Sequence, residues 1–223
     1  MKAHPSWRGV RWVPWLVVLT LILSSLKIIE DVVGRESGPF DETLLWFVRA
    51  QVPSTWSGFF AAATLSGSAA FLVPATAVVA LVLWIARRRS EALLVAASSI
   101  SAALFVYGLK ALVGRERPAL WDTQWYWGSS FPSGHTLSTA AFATAAALCV
   151  ARIWPRWATV AMVLALAWSL TVALSRLVLG VHWPTDVLVA LCVGALIPLL
   201  ISSAQNMAAL KRPSKRAAAH RQQ

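Results

Sequence analysis

Long apolar runs separated by short polar connections make up most of this chain. A helix needs about 20 mainly apolar residues to cross the hydrocarbon core of a bilayer. Six stretches meet or approach that length: 13–29, 67–86, 92–112, 133–153, 158–177 and 185–204. The ionisable groups inside them (Lys27, Lys110, His135, Arg152, Arg176 and Asp186) all lie close to an end. Of the 13 Trp residues, all except Trp168 fall near the ends of these runs or in the connections. Indole rings settle at that depth, with the apolar ring in lipid and the N–H toward water. The pattern predicts an all-α, six-transmembrane-helix bundle.

The connection 40–66 reads differently. Asp41, Glu42 and Arg49 interrupt Leu44, Leu45, Phe47 and Val48, a pattern for a short interfacial helical segment between spans one and two. The run 55–66 is apolar but broken by Gly58 and followed by Gly67. It fits either a separate piece or an extension of span two.

Composition excludes a water-soluble domain. Hydrophobic residues make up 58% and charged residues 13%, where a soluble domain carries about 25% charged. The net charge of +11 does not imply nucleic acid, because the basic residues sit between apolar runs rather than on one soluble face. They set orientation instead. With a cytoplasmic N-terminus, the inside holds 13 of the 20 basic residues, and both termini are expected in the cytoplasm. A cleaved secretory signal is disfavoured by the lack of a small-residue cleavage site after Leu23. Residues 1–204 thus read as one integral membrane domain, and 205–223 as a basic, disordered cytoplasmic tail drawn to anionic lipid. Cys149 and Cys192 lie in apolar runs and read as small buried side chains.

Polar groups placed against a bilayer are functional candidates. Three clusters qualify: Lys110 with Arg117-Pro118; Pro132-Ser133-Gly134-His135; and Ser175-Arg176 with His182 and Asp186. In the six-span topology, the ends of spans three and five and the starts of four and six emerge on one face. The clusters therefore converge at one extracytoplasmic site. Lys110, Arg117 and Arg176 are three cationic donors, and the Arg forks match phosphate oxygens. Ser133 and Gly134 begin a helix, where free amides and the positive dipole end cradle anions. His182 and Asp186, four apart, share a helix face. Asp186 can keep one ring nitrogen of His182 protonated and leave the other free to attack. His135 suits proton transfer to a leaving oxygen and from water. Arg115, Glu116 and Asp122 read as ordinary interfacial charges, and Arg115 is expected to be dispensable.

The pattern Lys-x6-Arg-Pro, Pro-Ser-Gly-His and Ser-Arg-x5-His-x3-Asp resembles the type 2 phosphatidic acid phosphatase family, which shares its phosphate site with vanadium haloperoxidases. Each specified position is present in order, from Lys110 to Asp186. The likeness covers roughly 65–204. It implies that His182 is the nucleophile, forming a phosphohistidine, with Asp186 as its orienting partner. It implies that His135 protonates the leaving group and then activates water. Lys110, Arg117, Ser133, Gly134 and Arg176 would bind the phosphoryl oxygens, with no metal or other cofactor. The implied partner is a membrane lipid phosphate: undecaprenyl diphosphate, phosphatidylglycerol phosphate or phosphatidic acid. The motif reads only the phosphate, so these are not separated.

Two other classes use the same residues. An anion transporter is disfavoured because transporter sites sit near the midplane between repeats, whereas these charges lie at span ends. A non-catalytic lipid-phosphate-binding protein would not need His135, His182 and Asp186 together.

Overall fold

The structure is a computed structural model that describes residues 13–121 and 128–211. Those residues form eight α-helices: α1 (Val13–Val33), α2 (Gly38–Gln51), α3 (Ser57–Leu65), α4 (Ala69–Ile85), α5 (Arg89–Val113), α6 (Gly134–Ile153), α7 (Ala158–Val178) and α8 (Pro184–Lys211). Single 3-10 turns, Ser54–Trp56 and Pro155–Trp157, lead into α3 and α7. No strand occurs among the described residues.

Four helices, α5 to α8, are long and apolar enough to cross a membrane, and the bent pair α3–α4 makes up to a fifth. Helix α1, whose last two turns carry Lys27, Glu30 and Asp31, is not among them. The chain is a multi-pass membrane protein, but a count of six spans goes beyond these helices.

The layout follows from side-chain size. Helix α6 is rich in Ala and Thr and packs against α5, α7 and α8. Small residues let membrane helices approach closely, since lipid supplies no hydrophobic drive between them. Gly194 of α8 shows how close: a Cβ there would lie 2.6 Å from the Leu137 carbonyl oxygen of α6. The outward faces are apolar, with Leu81 of α4, Leu104 of α5 and Leu166 of α7 exposed. These are lipid-facing surfaces.

The connection 40–66 resolves into two helices. The segment preceding α4 is separate from it, bent by 43° across Ser66–Ser68. The indole Nε1 of Trp168 donates to Ser66 Oγ at 2.9 Å, in the break. An indole N–H taken out of water finds a partner, which accounts for the one Trp placed inside an apolar run. In α2, Asp41 and Leu45 are both fully buried, so one face of this helix packs into the protein.

Helix α8 continues past the expected limit at Ala204, as far as Lys211. Gln205 holds that extension in place. Its amide donates to the Ser90 carbonyl, and its oxygen accepts from Arg152 at 2.9 Å. Residues 205–211 are therefore helical rather than tail. The rest of the expected tail, 212–223, lies outside the described residues, as do Trp125, Tyr126 and Trp127.

Candidate active site

The ends of α5 and α7 and the starts of α6 and α8 meet at one end of the bundle, and each brings part of the motif. Helix α5 ends at Gly114, which takes a left-handed φ of 62°. The chain then runs without regular structure through Arg115 and Arg117. Ser130 staples this segment to the 128–131 loop. Its N–H donates to the Arg115 carbonyl at 2.8 Å, and its Oγ donates to the Glu116 carbonyl at 3.0 Å. Lys110, in the last turn of α5, donates to the Ser129 carbonyl.

The turn after α7 sets the position of His182. Gly180 N donates to the Leu177 carbonyl and Val181 N to the Arg176 carbonyl, at 2.9 and 3.2 Å. This paired pattern closes a helix through a left-handed residue, and Gly180 has φ +64°. A Cβ there would also lie 2.6 Å from the Trp121 ring, which would have to move. Val181 then offers its carbonyl to Arg117 Nη1 at 2.8 Å. His182 follows, with its side chain only 3% exposed.

His182 Nδ1 lies 3.3 Å from Asp186 Oδ2, and Arg117 Nη1 lies 3.4 Å from His182 Nε2. A guanidinium only donates, so the two contacts together select one tautomer. The proton sits on Nδ1 and is donated to Asp186, while the Nε2 lone pair faces Arg117. Burial lowers the His182 pKa to about 4, against the opposing pull of the Asp186 carboxylate. The ring is neutral at neutral pH. The same Asp186 oxygen accepts the Trp183 N–H at 2.9 Å.

The remaining motif residues surround this pair. Arg176 is 1% exposed and donates to Thr64 Oγ1 of α3. Its charge and that of Arg117 act on His182. His135, in the first turn of α6, feels Arg176, His182, Arg117 and Lys110. Ser133 N–H is not free to cradle an anion: it donates to the Asp186 carbonyl at 3.2 Å, and Ser133 Oγ pairs with Thr136 Oγ1 at 3.0 Å. The amides of Gly134 and His135 precede the first α6 bond, from Leu137 N to the Ser133 carbonyl, and have no acceptor within the helix. The amides without a helix acceptor thus begin one residue further along than expected.

Arg115 overturns its sequence reading. Its Nη1 lies 2.6 Å from Asp186 Oδ1, and its Nη2 lies 2.5 Å from Asp41 Oδ2 of α2. Both carboxylates are 0% exposed and the Arg115 side chain is 15% exposed. Asp41 also accepts from Thr185, from N–H at 2.8 Å and from Oγ1 at 2.7 Å. Sequence reasoning missed both Arg115 and Asp41. An Asp in the first turn of an amphipathic helix is ordinary, and nothing local tied residue 41 to 115 or 185.

Lys110, Gly134 and His135 lie at one end of a groove of about 490 Å³. Leu72, Val73, Ile100, Ala103, Val106 and Tyr107, from α4 and α5, line its length. Among the described residues, no three His, Cys, Asp or Glu side chains gather as a metal-binding group.

A profile of the PAP2 superfamily matches residues 91–209, which include every motif position from Lys110 to Asp186. Phosphatidylglycerophosphatase B of Escherichia coli (strain K12) is 46% identical over 63 residues, 28% of this chain and 24% of that protein. Decaprenylphosphoryl-5-phosphoribose phosphatase of Mycobacterium tuberculosis (strain CDC 1551 / Oshkosh) is 36% identical over 123 residues, 52% of this chain and 63% of that protein. The chain therefore spans about a quarter of the length of the first relative and under two thirds of the second. In fold it is similar to the crystal structure of a transmembrane PAP2-type phosphatidylglycerolphosphate phosphatase from Bacillus subtilis. That likeness has a TM-score of 0.78 at 22% identity, covering 85% of this chain and 96% of that one. The matched profile spans more than half of the chain and contains the whole motif, and so this chain belongs to the PAP2 superfamily.

Proposed function

We propose that the protein is an integral membrane lipid phosphate phosphatase. The observation that carries this reading is the His182–Asp186 pair, with its Nε2 lone pair turned toward Arg117, beside an apolar groove. A nucleophile, its orienting carboxylate and a phosphate-binding fork stand next to a channel suited to a hydrocarbon chain.

In the proposed reaction, the substrate phosphate takes the place of the direct Arg117–His182 contact. Arg117, Arg176, Lys110 and the amides at the start of α6 bind its oxygens and stabilise the charge that spreads over them. The Nε2 lone pair of His182 attacks phosphorus, and the bond from phosphorus to the leaving oxygen breaks. The proton on Nδ1 stays with the ring, whose new positive charge faces Asp186. His135 gives a proton to the leaving oxygen. It then takes one from water, whose oxygen attacks the phosphohistidine and releases inorganic phosphate. No step requires a metal.

The relatives' names extend to phosphatidylglycerophosphate and decaprenylphosphoryl-5-phosphoribose. We carry over what these have in common with undecaprenyl diphosphate and phosphatidic acid, a phosphate group on a membrane lipid. In the proposed topology α1 is the sixth span, packed against α8. The termini are cytoplasmic and the site faces the outer side. The basic residues beside the other bundle end (Arg87, Arg88, Arg89, Arg152 and Arg156) support that orientation.

The test is phosphate release by the purified protein from a panel of these lipids, in detergent containing EDTA. Release from at least one lipid, abolished in His182→Ala and inhibited by vanadate, is the expected result. Activity that survives in His182→Ala, or that appears only with added Mg²⁺, would overturn the reading.

A further inference from the structure

Arg115 and Asp41 lie outside the phosphate-binding motif, yet Arg115 touches its Asp186 and Asp41 holds Arg115. Asp186 has two oxygens with separate tasks. Oδ2 receives His182 Nδ1 and Trp183 N–H, while Oδ1 receives Arg115 Nη1 at 2.6 Å. With Oδ1 held, the carboxylate cannot turn about its own axis, and Oδ2 stays aimed at the imidazole. Arg115 is itself held from the other side. Its Nη2 donates to Asp41 Oδ2 at 2.5 Å and to Ser37 Oγ at 3.0 Å, and its guanidinium lies 5.5 Å from the centre of the Trp183 ring. Asp41 in turn accepts the Thr185 N–H in the first turn of α8, where a negative charge meets the positive end of the helix dipole.

Charge leads to the same place. Asp41 and Asp186 are two wholly buried carboxylates that share one guanidinium. Without it, like charges would face each other in a medium of low dielectric, which favours the protonated form of Asp186. A protonated Asp186 no longer accepts the Nδ1 proton as a carboxylate does, and His182 loses the contact that fixes its tautomer.

We propose that Arg115, braced by Asp41, is a positioning residue for the reaction: it clamps the far oxygen of Asp186 so that the near oxygen fixes the ring and tautomer of His182. Arg115 itself does not touch the substrate. This inference rests on the phosphatase reading given above. The groups facing the His182–Asp186 pair are Arg115 and Arg117 from the 114–120 segment, Asp41 from α2, Lys110 from α5, His135 from α6 and Arg176 from α7. Removing the Arg115 cation from that set makes protonation of the pair easier.

The experiment compares wild type with Arg115→Met, Arg115→Lys and Asp41→Asn in detergent, on whichever lipid the wild type hydrolyses. Arg115→Met is expected to lower kcat roughly 10–100-fold, the size of loss seen for the outer partners that orient metal-bound imidazoles, with KM nearly unchanged. Its acid limb should move to higher pH. Arg115→Lys, which keeps the charge without the fork, should keep the acid limb in place but remain slow. Unchanged kcat and acid limb in Arg115→Met would overturn the inference and leave the phosphatase reading intact.

A second readout does not depend on activity. Selective ¹⁵N labelling of histidine, with the His182 signals assigned by their loss in His182→Gln, reports which ring nitrogen carries the proton. Wild type should show the Nδ1–H form alone, and Arg115→Met or Asp41→Asn a mixture. If Arg115→Met does not fold, Asp41→Asn decides: a single Nδ1–H form there would overturn the proposal. An inactive wild type would sink the phosphatase reading, while the tautomer would still judge the clamp.

Discussion

Arg115 and Arg117, two positions apart in one irregular segment, hold opposite ends of the His182–Asp186 pair. Arg115 takes the far oxygen of Asp186 and Arg117 faces Nε2 of His182. The two arginines therefore fail in different ways when changed. Arg117→Lys keeps a cation but loses the planar fork that spans two phosphoryl oxygens. It should lower kcat/KM about 10²–10³-fold and weaken vanadate inhibition in parallel. Arg115→Lys should leave vanadate inhibition within a few-fold of wild type. Equal loss of vanadate affinity in both would contradict the separation of roles.

Acid should silence the enzyme late. Burial holds the His182 pKa at about 4, well below the 6.5 of a free imidazole. The neutral ring, the proposed nucleophile, persists as pH falls until it is lost near pH 4. The acid limb of kcat/KM is expected there, and an inflection at pH 6–7 would argue against a buried neutral His182. Stability has the same sign. The unfolded ring takes up a proton at higher pH than the folded one, so its contribution, full above pH 6.5, is lost as pH falls toward 4.

Two helix glycines should answer oppositely to alanine. At Gly194 the new Cβ meets the Leu137 carbonyl oxygen at 2.6 Å and the Ala140 Cβ at 2.7 Å, and neither is a flexible tip. Gly194→Ala should cost about 1–3 kcal/mol through overpacking. At Gly108 of α5 a new Cβ would meet nothing within 4 Å, so Gly108→Ala should be neutral or stabilise by up to about 1 kcal/mol. Thermal unfolding in one detergent would compare them, and a lower midpoint for Gly108→Ala than for Gly194→Ala would refute the packing argument.

Blocking the groove should separate chain from head group. Ala103 lines it between α4 and α5, and Ala103→Phe narrows it without touching the phosphate end. KM should rise for long-chain lipid phosphates and stay unchanged for a short-chain soluble analogue. An equal rise for both would mean that the groove does not hold the lipid chain.

Much of the site was legible because its chemistry is local. His182 and Asp186 announce themselves by a spacing of four. The apolar runs predicted α4 to α7 and the start of α8 within a few residues, because hydropathy decides what lies in lipid. Pairings across the fold were not legible. Thr64 meets Arg176 from 112 positions away, and Asp41 meets Thr185 from 144, with no periodicity linking either pair. The Ser66–Ser68 break was ambiguous for a related reason. Apolar residues flank it on both sides, and the bend depends on Trp168 and on the close approach of Gly67 to Val172 of α7.

The tie between Asp41 and Thr185 limits how this chain can be cut. A fragment beginning near residue 65 would carry every motif position, yet it would leave Arg115 and the first turn of α8 facing an empty place where a carboxylate belongs. The motif-bearing segment is thus not a module in its own right. A chimera that grafts it onto another protein's leading helices must supply an acid at the height of Asp41, or it will inherit His182 and Asp186 without the partner that braces Arg115.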